Sequence, residues 1–145
     1  MRPLIVLLLF AVPAVAAPVP KTLKKAATAD GVWEWVEFNG NDGKMGYNIP
    51  KPTYWRIEGD LISTGKRTVD ELFSTPLTHT MTVRDGQQPN LRTFDTGGTK
   101  YSAAMELDGD TLRWCYATDP KQTITECKPA NGVYYYVFKR MKVEK

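Results

Sequence analysis

The chain has 145 residues, 42% of them hydrophobic, 24% charged, with a formal net charge of +3, which suits one domain with a buried core and leaves little room for a second. The basic side chains are scattered, apart from Lys21, Lys24 and Lys25 near the start and Lys139, Arg140, Lys142 and Lys145 at the end. A nucleic-acid surface needs a basic stripe with interleaved aromatics, so that class of partner is excluded. One histidine and two cysteines fall short of the close ligand set that zinc takes, and neither a metal nor a cofactor is expected.

Residues 1–16 read as a cleavable export signal. Arg2 supplies the positive end, Leu4 to Val12 the apolar stretch, and Ala14-Val15-Ala16 the small-x-small cleavage site, so the mature chain starts near Ala17. The apolar stretch is too short to span a bilayer. No cysteine follows the cleavage site to carry a lipid, so the product is expected free of a membrane anchor, secreted or periplasmic. Residues 17–30 are a processed end with a short helical turn, Leu23, Ala26 and Ala27 lying at helical spacing.

From Gly31 the pattern changes to period two, and residues 31–141 form the predicted domain. Val32 to Phe38 is the first strand, with Trp33 and Trp35 on one face; strict alternation carries Glu37 to the same side. Asn39 to Pro52 is a loop rich in Gly, Asn and Pro. Thr53 to Gly59 is a second strand, Trp55 and Ile57 sharing a face, and a turn at Gly59-Asp60 leads into a third from Leu61. Arg67 to Pro76 carries a helical turn, and Leu77 to Arg84 alternates again, with His79 and Met81 on one side. Asp85-Gly86 and Pro89 mark the next turn, and the strand NLRTFD ends at Gly97-Gly98.

Tyr101 to Ala117 writes a hairpin. Asp108-Gly109 at its tip suits a type I′ turn, which pairs Met105 with Leu112, Ala103 with Trp114 and Tyr101 with Tyr116 on an apolar face, and Ser102 with Cys115 on the other. ITECK and VYYYVFKR complete the set, joined by a second type I′ signal at Asn131-Gly132. That turn puts Tyr135 and Val137 on the Trp114 face and Tyr134, Tyr136 and Phe138 on the cysteine face. Either something covers the outside or a bulge at Pro129 shifts the register by one. If the chain reverses around Asp119 to Thr123, Cys115 and Cys127 fall opposite each other and form one disulfide, as suits an exported chain. A reactive thiol would need a nearby base, and His79 is distant in sequence. Eight or nine short antiparallel strands without a long helix argue for a meander closed into a barrel or folded as a sandwich.

The stretch GVWEWVEFNG from Gly31 resembles the G-x-W opening strand of lipocalin-like barrels, and the terminal YVFKR resembles their closing strand. Between them, QQPNLRTFD and AMELDGDTLRWCYA are similar to the central block of a small exported lipocalin-like domain family of planctomycete bacteria. The resemblance implies an eight- to nine-stranded antiparallel barrel of the calycin type, in which Arg140 stacks on Trp33 to close one end, a structural role. The second lipocalin motif, T-D-Y, is represented only by Thr118-Asp119, and the family's long C-terminal helix is missing.

No motif names a reaction. Asp108-Gly109-Asp110 is turn chemistry, lacking the further oxygens of a calcium loop, and no phosphate-cradling glycine loop precedes a helix. No catalytic residue is assigned, and the domain is expected to be non-catalytic. Three readings remain: a binding module that takes a small apolar molecule inside the barrel, a solid-cored structural or interaction domain acting through its surface, and a hydrolase built on carboxylates around Glu37. For the first, the candidate ligand contacts are Trp35, Glu37, Trp55, His79, Tyr101, Met105, Trp114 and Tyr116. In a barrel of this size the same side chains can instead fill the interior. The oligomeric state is not legible.

Overall fold

The computed structural model describes residues 28–40, 52–84 and 88–142. The expected signal at 1–16, most of the segment at 17–30, most of the Asn39–Pro52 loop and the Asp85-Gly86 turn lie outside the described residues. Eight strands follow in order: β1 (Gly31–Asn39), β2 (Tyr54–Glu58), β3 (Leu61–Lys66), β4 (His79–Val83), β5 (Leu91–Thr96), β6 (Thr99–Asp108), β7 (Thr111–Ala117) and β8 (Val133–Arg140). Each pairs antiparallel with its neighbour and β8 returns to β1, closing an all-β meander barrel without a free sheet edge. The one helix among the described residues, α1 (Val69–Ser74), is capped by Thr68, whose hydroxyl accepts from the Glu71 amide while the Glu71 carboxylate accepts from the Arg67 amide. It packs on β2 and β3 from outside and buries Leu72 completely.

Period-two patterning sorts the side chains into two clusters. The barrel interior holds Trp33, Trp55, Ile57, Ile62, Met81, Phe94, Trp114, Tyr136 and Phe138, among others. A second cluster lies on the outer face of β6, β7 and β8, where Leu91, Ala104, Cys115, Val133 and Tyr135 are covered by Ile124 and Cys127 from the β7–β8 connection.

Two local expectations are corrected. In β1, Trp35 pairs with Phe138 but Glu37 pairs with Val137, so Val36 is the extra residue of a β-bulge. Beyond the bulge the faces exchange: Phe38 pairs with Tyr136 and joins the interior, while Glu37 turns to the outer side. The β6–β7 hairpin turns on Gly109-Asp110, with Asp108 opposite Thr111, not on Asp108-Gly109. Among the described non-glycine residues no φ is positive, so within this turn only Gly109, at +57°, has a positive φ, the φ pattern of a type II′ turn. Met105 therefore meets Trp114 instead of Leu112, which pairs with Leu107. The shift is two residues, so every side chain keeps its expected face.

The largest correction is at ITECK, which is not a strand. Residues 118–132 form a strap that crosses the outer face, and β8 pairs directly with β7, Trp114 opposite Tyr136 and Leu112 opposite Phe138. Tyr134, Tyr136 and Phe138 thus point inward, and Tyr135 and Val137 lie on the cysteine side. The strap is fixed by Arg84, which donates to Ile124 O and to Ser102 Oγ, and by the Ile124 amide, which donates to the same hydroxyl at 2.7 Å. Cys115 lies opposite Ala104 and Tyr135 in the sheet, and Cys127 comes over it from the strap with both thiols free. Contact with Cys115, and then burial, push the Cys127 thiol upward, which disfavours a reactive thiolate.

Candidate functional site

The barrel has two unlike ends. At the first, Trp33 is completely buried and its indole N–H donates to Ala29 O at 2.7 Å. The Arg140 guanidinium lies 4.2 Å from the centre of the Trp33 ring. The same group donates to Asp30 O and Thr28 O at 2.6 and 2.7 Å and pairs with Asp110. The Asp30 carboxylate accepts from the Gly59 amide at 2.7 Å. Residues 28–30 are thereby pinned across the β1–β8 side of this end.

At the opposite end, where β1 and β7 finish and β8 begins, the inward side chains are aromatic and only partly buried: Trp35, Phe38, Tyr101, Tyr116 and Tyr134. They form one connected set of rings. Trp35 meets Phe38 edge-on at 5.5 Å and Tyr136 at 5.2 Å; Phe38 stacks with Tyr134 at 5.8 Å; Tyr116 lies 5.3 Å from Tyr134 and 5.9 Å from Tyr101. Below them Phe94 contacts Tyr116 and Trp114, and His79 stacks on Phe94 at 5.7 Å. The floor is Trp55, Trp114 and Phe138, all buried.

Polar groups in this bowl are few. The Tyr116 and Tyr136 hydroxyls influence one another at short range. Burial pushes both phenols above the ordinary tyrosine range, reinforced for Tyr136 by the neighbouring Tyr116. Both are neutral at physiological pH and offer hydroxyl donors and acceptors inside an apolar surface. His79 Nδ1 lies 3.0 Å from Thr78 Oγ1. The wall is thinnest beside His79, since β3 and β4 pair only through Leu61–Thr80 and Ile62–His79 before the chain leaves for α1. Such a surface can hold a flat apolar molecule by ring contact and orient it through hydroxyls.

The eight sequence-predicted contacts are thus dispersed. Trp35, Tyr101 and Tyr116 line the bowl, and His79 reaches it through Phe94. Trp55 and Trp114 are its buried floor. Met105 belongs to the other end, on the lining of a separate cavity with Met81 and Leu107. Glu37 is outside, its charge acting on Tyr135 of the outer cluster, so the carboxylate does not enter the interior. Phe38 and Tyr134 were not anticipated, because the first depends on the Val36 bulge and the second on the β8 register. Among the described residues no group of three or more His, Cys, Asp or Glu could hold a metal ion, and no helix is long and apolar enough to cross a membrane.

Fold and bowl together define an antiparallel eight-stranded meander barrel of the lipocalin-like kind. Compared with protein-family models, with curated proteins and with solved structures, the chain matches none of them.

Proposed function

We propose that this is an exported, non-catalytic barrel that holds a small, largely apolar, ring-bearing molecule in the bowl formed by Trp35, Phe38, Tyr101, Tyr116 and Tyr134. One observation carries the reading: five inward aromatic side chains at this end stay partly exposed, whereas the interior beneath them is fully buried. Large apolar groups gathered on a concave surface are the usual lining of a small-molecule site. The buried floor makes the site shallow, so the ligand lies at the mouth of the barrel and not in its centre. Export rests on the signal-like residues 1–16 and on the resemblance to exported lipocalin-like domains. In an oxidising compartment the touching thiols of Cys115 and Cys127 close into a disulfide between β7 and the strap.

Titration with the neutral probe N-phenyl-1-naphthylamine tests the reading. Saturable probe fluorescence that is weakened in Trp35→Ala and Tyr134→Ser supports it. Absence of saturable binding overturns it and leaves the solid-cored interaction domain. Native mass spectrometry of the protein recovered from its own host then identifies a retained small molecule.

A further inference from the structure

The Trp33 end carries a second opening, unrelated to the aromatic bowl. Residues 28–30 run over it from Arg140 to the Gly59 amide and form one edge of that opening. On the β4–β6 side a cavity of 430 Å³ enters the barrel beside the Gly59-Asp60 turn. Its floor is apolar, made by the inward side chains of Met81, Met105 and Leu107. Arg92 lines the same cavity. Its place in the ladder makes it an inward residue: it pairs with Ala103, which belongs to the interior, while its neighbour Leu91 belongs to the outer cluster.

A guanidinium inside a barrel needs acceptors, and Arg92 has none. Its Nε is buried without a hydrogen-bond partner, and no ion pair reaches it among the described residues. Arg84, partly buried on the outer face, is by contrast supplied with carbonyl and hydroxyl acceptors. The Trp114 indole N–H, opposite Met105 in the β6–β7 ladder, is also buried without an acceptor. The unpartnered buried polar atoms of the interior are therefore both donors. Leaving a buried donor unpaired is costly, and a carboxylate on Arg92 forms two parallel charge-assisted hydrogen bonds.

We infer that this cavity binds a small monocarboxylate with an apolar body, the carboxylate on Arg92 and the hydrocarbon over Met81, Met105 and Leu107. Asp30 and Asp60, both exposed, stand on the lining at the solvent side. Two carboxylates there repel a second negative charge, which selects a monoanion over a phosphate or a dicarboxylate. A volume of this size falls in the range of small-molecule pockets. The inference is independent of the aromatic bowl, since the ligand contacts it names, Arg92, Met81, Met105 and Leu107, lie outside the bowl's exposed rings.

Sodium octanoate and octan-1-ol, titrated separately into the full chain carrying ¹³C-methyl methionine, test it by nuclear magnetic resonance. Octanoate is expected to shift the Met81 and Met105 methyls saturably and to bind about tenfold or more tighter than octan-1-ol. In Arg92→Met that preference disappears while octan-1-ol binding persists. Equal affinity for the two probes, no saturable octanoate shift, or shifts at Trp35 and Tyr116 instead of the two methionines overturns the proposal. If Arg92→Met loses its methyl dispersion and is unfolded, the comparison of the two probes on the unaltered chain decides alone.

Discussion

Trp33 and Trp35 stand two residues apart on one strand and both face inward, yet they serve opposite ends of the barrel. At Trp33 itself the indole N–H, the Arg140 guanidinium and the Asp30 carboxylate are all satisfied by backbone or by opposite charge. Around Trp35 the rings touch one another but are not covered. Its own indole N–H is turned back to Glu37 O, within the strand, by the bulge at Val36. The difference teaches that the same residue type, set on the same face, closes the barrel where backbone crosses over it and lines a concave surface where none of the described backbone does.

The sharpest way to break this contrast is to remove each tryptophan in turn. Trp33→Ala deletes a fully buried ring and is expected to cost about 3–5 kcal/mol, enough to unfold a marginal domain. Trp35→Ala removes a partly exposed ring and is expected to cost about 1–2 kcal/mol. Urea unfolding of both variants gives the comparison. Equal losses sink the division of labour between the ends.

The strap bears on whether the Tyr116 end has an anchor of its own, since β7 ends and β8 begins there. Closing Cys115 to Cys127 constrains the denatured chain by about 3 kcal/mol on the loop-entropy account. Urea midpoints measured with and without reductant should differ accordingly. In the reduced protein both buried thiols should resist alkylation until the chain unfolds, because the Cys127 thiolate is disfavoured by its contact with Cys115 and by burial. Rapid labelling of the native reduced protein would show that the strap lifts off. Arg140→Met comes next, removing the cation–π contact and the donors to Thr28 and Asp30, with an expected loss of about 1–3 kcal/mol. Amide hydrogen exchange should then accelerate at residues 28–30 while the Tyr116 end keeps its protection.

Period two made the strand set and the sidedness of the β6–β7 hairpin legible, and the hairpin kept its faces although its turn moved, because Asp-Gly and Gly-Asp tips one residue apart displace the pairing by two. The bowl was less legible. Strict alternation places Glu37 beside Trp35, and only the unpatterned extra residue Val36 exchanges it for Phe38. In β8, every position from Val133 to Phe138 is apolar or aromatic, so alternation could not choose a face. The Asn-Gly signal chose the wrong one because the chain before it is a strap and not a strand. Arg92 carried no signal at all, since an inward arginine is recognised only by the absence of partners around it.

The smallest expected effect lies in the tyrosines, and it tests the burial gradient within the bowl. Tyr136 is more deeply buried than Tyr116, and both have folded-state pKa values raised above the unfolded tyrosine value near 10. A raised acid binds its proton more tightly when folded. Stability from these groups is therefore fully present below pH 10 and is lost as pH rises above it, because the unfolded chain then releases protons that the folded chain keeps. Each such group contributes a loss of about 1.4 kcal/mol per pH unit once well above pH 10, so about 1 kcal/mol should separate pH 11 from pH 10 for one tyrosine. Tyr136→Phe removes the titrating hydroxyl and should flatten the alkaline decline measured by urea midpoints between pH 9 and 11. If Tyr136→Phe leaves the decline unchanged, burial does not hold the Tyr136 proton in the folded chain, and the floor is no drier than the mouth.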